Sequence, residues 1–257
     1  MNSHRKLETY TWRDAPACIL GAGSTLLNYD FSRCDNCHMF SVNSSILKVN
    51  WKIPSYPDVI RVWISNDSLC RRWSYFSKVK QDICYKVVRD SWLKYADELE
   101  DFLFFKARKT REDIIDDDDD GLLYNSSVPS AIDLAIKLGF KSIFLFGIDH
   151  QLCDGKTHFW QHLPKDEQPK EIIKSGSKIL KFSPARIMQP VAMQKDVWNM
   201  NVSVFNAIQK HADNHGVKIV NINNLTTTIP FAHKTLEETG LEKYGIKYMS
   251  IPKLPQG

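Results

Sequence analysis

The sequence predicts an α/β fold in which helices cover both faces of a mostly parallel β-sheet. Short runs rich in Val, Ile and aromatic residues recur along the chain, and most end in Gly, Asn, Asp or Ser. Stretches with helical periodicity alternate with these runs, which is typical of parallel strands joined by crossover helices. Because 43% of the 257 residues are hydrophobic, the core can be substantial. We expect a single α/β domain over residues 1–257.

Six segments carry the strand pattern. They are ACILGAG (17–23), HMFSVNSS (38–45), VIRVWISND (59–67), ICYKVV (83–88), SIFLFGID (142–149) and VKIVNIN (217–223). Two helical faces lie between or after them, with apolar residues at i, i+3, i+4 and i+7 or close to that spacing. The first face comprises Ala131, Leu134, Ala135 and Leu138 and ends at Gly139, and the second comprises Val197, Val204, Ile208 and His211.

Two segments interrupt this alternation. Residues 111–121 contain five consecutive aspartates, whose mutual repulsion predicts a solvated acidic loop. Residues 163–196 contain several prolines and lysines without a clear period, which predicts a lid or small insertion over one end of the sheet.

Charge and composition limit the class of partner. The formal charge of +4 is mildly basic, but the Lys and Arg residues are scattered, so we expect no nucleic-acid partner. No apolar run approaches the ~20 residues of a membrane helix, and the first residues lack the apolar centre of a signal peptide. We therefore expect a cytoplasmic protein with no integral membrane segment and with six reduced cysteine thiols. A homo-oligomer is compatible with the sequence.

The end of the first predicted strand has the composition of a phosphate-binding turn. Gly21 and Gly23 permit a tight turn and close backbone approach, and Ser24 opens the next segment. Free N–H groups at a helix start attract phosphate, although an ordinary strand-to-helix turn is the alternative. Leu26 occupies the position of the third glycine of the dinucleotide fingerprint, which disfavours ordinary NAD binding.

Polar residues also follow the other strands or precede the first helix. These are Asn43, Asp67, Ser126, Ser127 and Asp149. Ligands of open parallel sheets bind beyond the carboxyl ends of the strands, where these residues should meet. Asn and Ser can hydrogen-bond ribose, base or phosphate, and Asp67 or Asp149 could hold a magnesium ion that bridges a diphosphate. Each residue alone could equally be a turn or cap residue.

The loop LFGIDHQLCDGKTHFWQH (145–162) is the predicted substrate or catalytic loop. His158 and His162 stand at i, i+4, a spacing that can present two imidazoles on one helix face to a metal, but zinc would need a third ligand. A metal site and an uninvolved surface loop remain the alternatives. Asp149 and His158 are the candidate catalytic residues.

Several of these segments together resemble one protein family. Five segments, in chain order, are similar to segments of 6-hydroxymethylpterin diphosphokinases and motility accessory factor glycosyltransferases. They are GAGSTL, SVNSS, PDVIRVWISND, NSSVPSAIDLAIKLGFKSIFLFGIDHQLCDGKTHF and NINNLTT. A more distant resemblance is to the bacterial sialyltransferases that use CMP-sialic acid. The resemblance covers most of residues 17–229, with its most specific part at 122–159, and implies a Rossmann-like fold.

The resemblance also implies roles for individual residues. It places Gly21, Gly23 and Ser24 beside the nucleotide phosphates, Asn43 with Ser126 or Ser127 around the nucleotide, Asp149 at the reacting end, and His158 in the site through the DGKTH turn. The sequence departs from the sialyltransferases in one respect. Those enzymes carry a histidine base shortly before their last long helix, whereas residues 163–210 contain no histidine.

The expected function is therefore that of a nucleotide-dependent transferase with a small-molecule acceptor. The leading interpretation is a glycosyltransferase with a CMP-activated nonulosonic acid-type donor, in which Asp149 or His158 takes the proton of the acceptor hydroxyl. One alternative is ATP-dependent pterin diphosphorylation with magnesium on Asp67 or Asp149. Another is a nucleotide-binding module that has lost its base.

Overall fold

The structure of the protein is a computed structural model. It describes residues 15–34, 36–52, 59–108, 115, 121–123, 125–175, 178–184, 191–223 and 228–249, with the backbone alone described at 173–175, 178–184 and 191–197. The acidic run at 116–120 lies outside these residues, so its prediction as a loop stays a prediction.

The described residues form fourteen strands. In chain order they are β1 (Ala17–Leu20), β2 (Tyr29–Asp30), β3 (His38–Val42), β4 (Arg61–Ser65), β5 (Tyr85–Arg89), β6 (Phe102–Phe105), β7 (Ala107–Arg108), β8 (Leu122–Leu123), β9 (Ser142–Phe146), β10 (Lys170–Ser175), β11 (Lys178–Pro184), β12 (Lys218–Ile222), β13 (Ala232–Lys234) and β14 (Lys247–Tyr248). Eight of them make one sheet in the order β13-β12-β9-β1-β3-β4-β5-β6. Every pairing in this sheet is parallel, which confirms the predicted α/β fold.

All six predicted strands lie in this sheet, and the sequence analysis missed its two edge strands. β6 is a run of four apolar residues that follows the 3₁₀ segment Asp90–Glu98 without a Gly or Pro to mark its start. β13 has only three residues, none of them buried, because an edge strand has a neighbour on one side only. Neither has the alternation or length that identifies a strand from sequence.

Helices cover both faces of the sheet. The α-helices are α1 (Phe76–Gln81), α2 (Ser127–Lys137), α3 (Val191–Asn214) and α4 (Leu236–Thr239), and 3₁₀ segments occur at Ser24–Asn28, Asn43–Lys48, Ser68–Arg72, Asp90–Glu98, Phe159–His162 and Leu241–Tyr244. Successive side chains of a strand point to opposite faces. Ala17 and Ile19 therefore join the core under α2 and α3, while Cys18 and Leu20 join a second core under the shorter helices.

The two predicted helical faces are confirmed where their side chains are described. Helix α2 ends at Lys137, and Gly139 follows with a φ of 86°, the left-handed conformation that a glycine adopts at a helix end without steric cost. On α3 the side chains of Val204, Ile208 and His211 are buried, whereas that of Val197 lies outside the described residues.

The segment predicted as a lid or insertion contains an antiparallel hairpin, β10–β11, and the start of α3. The Lys170 N–H donates to Ser74 Oγ at 2.9 Å, and the Ser74 N–H donates to the Lys170 carbonyl at 2.7 Å. The base of the hairpin is thus fixed beside the 3₁₀ segment Ser68–Arg72. Closure of this segment over a ligand stays a prediction.

The expectation of six free thiols is wrong for one pair. Cys34 and Cys37 form a disulfide, and their Cα atoms are 6.2 Å apart, a separation that a disulfide can span. Cys18, Cys70, Cys84 and Cys153 are free. None of the described helices combines the length and the apolarity that a bilayer crossing requires.

A buried ion pair fixes the two ends of the chain segment that contains the acidic run. Arg108 donates to Asp133 of α2 at 2.6 Å, with the side chains 1% and 0% exposed. The other oxygen of the same carboxylate accepts the Leu123 N–H at 2.8 Å. β7 and β8 pair in parallel beside this contact, so Arg108 lies beside Leu123.

Candidate active site

A cavity of about 510 Å³ opens at the carboxyl edge of the main sheet. It is formed where several strands end, as the rule for open parallel sheets predicts. Its described lining residues are Ala22, Gly23, Val42, Asn43, Asn66, Asp67, Arg89, Asn125, Ser126, Ser127, Val128, Gly147, Ile148, Asp149, His150, Gln151, Thr157, His158, Trp198 and Asn201. Of the predicted site residues, Gly23, Asn43, Asp67, Ser126, Ser127, Asp149 and His158 are among them, whereas Gly21 and Ser24 are not.

The glycine turn packs against the loop that follows β9. The Gly21 N–H donates to the Phe146 carbonyl at 2.7 Å, and the Gly23 N–H donates to the Gly147 carbonyl at 2.8 Å. A Cβ atom on Gly23 would lie 2.6 Å from both the Gly147 carbonyl oxygen and Asp149 Oδ2, closer than real Cβ atoms come. Close packing against the loop after β9 thus explains why glycine occupies these positions, whether or not a ligand binds there. Their proximity to phosphate stays a prediction.

Asp149 is buried and accepts hydrogen bonds at both carboxylate oxygens from Thr25. The Thr25 backbone N–H donates to Oδ2 at 2.9 Å, and the Thr25 hydroxyl donates to Oδ1. Burial raises the pKa of Asp149 above its ordinary value, although the hydrogen bonds from Thr25 act in the opposite direction. These contacts attach the loop after β9 to the glycine turn, so Asp149 has a clear positioning role. Its predicted catalytic role remains a prediction.

A chain of amide and hydroxyl groups connects the ends of β3 and β4 to the start of α2. Ser127 Oγ accepts the Asn66 N–H at 2.9 Å and donates to Asn43 Oδ1 at 3.3 Å. The Asn66 side chain bonds to Ser130 Oγ at 2.9 Å. Ser126 is the N-cap residue of α2, and its side chain makes no capping hydrogen bond. These groups give the cavity a wall that can both donate and accept hydrogen bonds.

The residues predicted for magnesium do not form a metal cage. Asp67 is exposed, and its Oδ1 accepts the Leu69 N–H at 2.9 Å as the N-cap of a 3₁₀ segment. The second carboxylate on the cavity, Asp149, is engaged by Thr25. Within the described ranges no three His, Cys, Asp or Glu side chains come together as metal ligands. Magnesium on Asp67 or Asp149 together with a nucleotide diphosphate therefore stays a prediction, since one or two carboxylates with phosphate and water oxygens suffice for this ion.

The two histidines of the DGKTHFWQH segment have different surroundings. His158 lines the cavity, and its Nδ1 lies 2.7 Å from Thr157 Oγ1. Burial lowers the pKa of His158 to about 4, so the ring is neutral near pH ~7. His162 instead contacts Ser24 Oγ through Nε2 at 2.9 Å and Lys156 Nζ through Nδ1 at 3.5 Å. Because residues 159–162 form a 3₁₀ segment, with three residues per turn, the i, i+4 alternative of a shared metal is not supported.

Sequence reasoning missed several residues of the cavity. Arg89 is the last residue of β5 and the one Lys or Arg among the described lining residues. Its position at the carboxyl end of a parallel strand is the sequence signal that could have identified it. His150 lies directly after Asp149 and adopts a φ of 49°. Trp198 and Asn201 come from α3, whose position across the cavity depends on tertiary packing and leaves no local signal in the sequence.

Comparison with known proteins gives structural similarity to glycosyltransferases. No protein-family model matches the chain, and no curated protein matches it. The Maf glycosyltransferase of Magnetospirillum magneticum AMB-1 aligns with 93% of this chain at 13% identity and a TM-score of 0.49. The sialyltransferase CstII of Campylobacter jejuni with cytidine-5'-monophosphate aligns with 86% of this chain and 85% of its own, at 12% identity and a TM-score of 0.36.

A second structure of CstII, with CMP-3FNeuAc, aligns with 80% of this chain and 79% of its own, at 12% identity and a TM-score of 0.36. This chain covers only 38% of the length of the Maf glycosyltransferase. The three structures named here are glycosyltransferases, and the pterin diphosphokinase alternative rests on the sequence resemblance alone. The chain is thus an α/β protein with a Rossmann-like parallel sheet, as its own strand order and pairing show.

Proposed function

We propose that the protein is a nucleotide-dependent glycosyltransferase whose donor is a CMP-activated sugar of the nonulosonic acid type. The observation that carries this proposal is the composition of the cavity wall. Amide and hydroxyl groups of Asn43, Asn66, Ser126 and Ser127 meet at the carboxyl edge of the sheet, together with the cation of Arg89. The family resemblance of the segments that supply Asn43, Asn66, Ser126 and Ser127 gives the donor class.

The cavity suits a ligand with many hydroxyl groups and a few negative charges. Its volume of about 510 Å³ lies within the range of about 300–1,000 Å³ of small-molecule sites. Asn and Ser side chains both donate and accept hydrogen bonds, which matches ribose, sugar hydroxyls and the edge of a pyrimidine. A guanidinium group pairs with phosphate or carboxylate oxygens, and a CMP-nonulosonic acid offers both. In the proposal, Arg89 holds the phosphate group of CMP.

The transfer breaks the bond between the anomeric carbon and the phosphate oxygen of CMP. The bonding electron pair leaves with CMP, and an acceptor hydroxyl forms the new bond to the same carbon. The proton of the acceptor hydroxyl must pass to a base. His158 is the better placed of the two predicted bases, because it is neutral, lines the cavity and engages Thr157 only through Nδ1. Both oxygens of Asp149 already accept hydrogen bonds from Thr25.

Incubation with separate candidate substrates tests the proposal. Release of CMP from CMP-N-acetylneuraminic acid, or from another CMP-nonulosonic acid, supports glycosyl transfer, and an added acceptor should increase the rate. Release of AMP from ATP and a hydroxymethylpterin would instead establish diphosphoryl transfer. Binding of CMP by calorimetry, without turnover of any donor tried, would establish the nucleotide-binding module.

A matched pair of variants localises the activity to the cavity. Arg89→Gln should weaken CMP binding by at least ~10-fold, because an ionised hydrogen-bond donor contributes about 1.5–3 kcal/mol. Arg71→Gln is the control, since Arg71 pairs with Glu98 and does not line the cavity. Equal CMP affinity of the two variants would exclude this cavity as the nucleotide site.

A further inference from the structure

His150 is held in an unusual backbone conformation on the cavity wall. Its φ of 49° lies in the left-handed region, which residues other than glycine rarely adopt. Among the described residues two other non-glycine residues share this conformation, and one of them, Asn43, also lines the cavity. Such strain persists only where the surroundings fix it, and it concentrates at functional sites.

The surroundings of the His150 ring are aromatic. The ring stacks on Trp198 with centroids 6.2 Å apart and planes at 21°, and it contacts Phe205 at 5.1 Å. Its Nδ1 is buried and has no hydrogen-bond partner in the described part of the chain. Because His150 also lines the cavity, Nε2 is the nitrogen left to meet a ligand.

This environment selects one tautomer of the ring. A neutral imidazole has a proton on one nitrogen and a lone pair on the other. Buried N–H groups without a partner are rarer in proteins than under-satisfied acceptors, so the apolar side of the ring favours an unprotonated Nδ1. The proton then lies on Nε2, at the cavity. Burial lowers the pKa of His150 to about 4, which keeps the ring in this neutral state near pH ~7.

We propose that His150 is a catalytic hydrogen-bond donor whose neutral Nε2–H contacts an oxygen of the phosphate that leaves in the transfer. The identity of that oxygen rests on the proposed function. His150 thereby differs from Asp149, whose carboxylate is engaged by Thr25, and from His158, which receives the acceptor proton.

The step needs no proton from His150. As the bond from the anomeric carbon to the phosphate oxygen breaks, its electron pair moves to that oxygen and the negative charge there grows. A fixed N–H group stabilises the growing charge more than it stabilises the bound donor, so it raises the rate of the chemical step. The proton of the acceptor hydroxyl passes to His158, and CMP leaves with its negative charge stabilised by the hydrogen bond from His150.

Nuclear magnetic resonance of ¹⁵N-histidine-labelled protein tests the tautomer and the contact. The His150 signals, assigned by comparison with His150→Gln, should show a proton on Nε2 and a bare Nδ1, and saturation with CMP should shift the Nε2 signal. A proton on Nδ1 would overturn the proposal. CMP binding by calorimetry with an unchanged His150 signal overturns it as well and leaves the proposed function intact. No CMP binding at all overturns both.

Kinetics of two variants test the contribution to the chemical step. His150→Phe preserves a planar ring against Trp198 but removes the donor, and it should lower kcat by about 10²–10³-fold with KM changed only a few-fold. His150→Gln places an amide N–H near the position of Nε2 and should recover part of that loss. A Phe variant with normal kcat, or a Gln variant no better than Phe, would contradict the proposed donor. Melting temperatures of both variants separate these outcomes from unfolding.

Discussion

Asp149 offers the sharpest test of the site, because a catalytic carboxylate and a positioning carboxylate respond differently to two substitutions. Asp149→Asn retains the shape of the side chain: its oxygen can accept the Thr25 N–H, and its amide can donate to the Thr25 hydroxyl oxygen. Asp149→Ala removes both acceptors. If Asp149 positions the glycine turn, Asn should keep turnover within a few-fold of the wild type, whereas Ala should mainly lower stability.

The expected magnitudes follow from the two hydrogen bonds to Thr25. A buried donor without a partner costs about 1–3 kcal/mol, so the loss of both acceptors in Asp149→Ala should cost about 2–6 kcal/mol. For a chain of this length that corresponds to a fall in Tm of about 4–24 °C. Asp149→Asn should change stability by less than about 1 kcal/mol, because both hydrogen bonds have a replacement.

The pH dependence provides a second readout. Burial raises the pKa of Asp149 in the folded protein, so the wild type gains stability below the unfolded pKa, where the carboxyl group is protonated. That gain is lost as the pH rises through the folded pKa. Asn does not titrate, so the Tm of the Asn variant relative to the wild type should increase with pH over that window.

Thermal denaturation and single-turnover rates on the same samples decide between the roles. A 100-fold or greater loss of turnover in Asp149→Asn, with an unchanged Tm, would refute the positioning role and establish Asp149 as catalytic. Thr25→Val is the matched control. It removes only the hydroxyl partner of the carboxylate and should reproduce part of the stability loss of the Ala variant.

Three further predictions concern other parts of the chain. His158→Ala should lower turnover by about 10²–10⁴-fold. Because burial lowers the pKa of His158 to about 4, the wild-type rate should fall on acidification only as the pH approaches that value. A rate profile with its midpoint near pH ~6.5 would contradict this. Gly23→Ala should destabilise the protein by about 1–3 kcal/mol, because the added Cβ atom would contact the Asp149 carboxylate. An unchanged Tm would show that the glycine turn can shift to make room for it. Arg108→Met leaves the Asp133 carboxylate buried without its cation and should cost about 3–5 kcal/mol in denaturant unfolding; a cost below about 1 kcal/mol would mean that water reaches the pair.

The fold was predictable where local composition and burial agree. A central strand such as β9 is covered on both faces, so its sequence is an apolar run that stands out against its neighbours. β13 is short and exposed at the sheet edge, and its residues Ala232–Lys234 carry no such mark. The Cys34–Cys37 disulfide was missed because the expectation of reduced thiols came from cellular context and not from the distance between the two cysteines.

The candidate site was predictable to the extent that topology alone brings residues together. Parallel strands place their carboxyl ends on one edge, so Asn43 and Asp149 could be assigned to one cavity from sequence. The direction of the Asp149 carboxylate, toward Thr25, depends on the packing of two turns 124 residues apart in sequence. The stacking of His150 on Trp198 depends in the same way on where α3 crosses the sheet. Periodicity contains no information about such contacts between distant segments.

The buried pair of Arg108 and Asp133 also determines where this chain tolerates change in length. Because one carboxylate holds both Arg108 and the Leu123 N–H, the chain on either side of the connection between them is joined by a buried contact. The entropy cost of a flexible connection grows only with the logarithm of its length, by about 0.6 kcal/mol for each doubling. Ile115 belongs to the main core, so the predicted acidic run at 116–120, rather than the whole span from 108 to 122, is where we expect an inserted affinity tag to be tolerated.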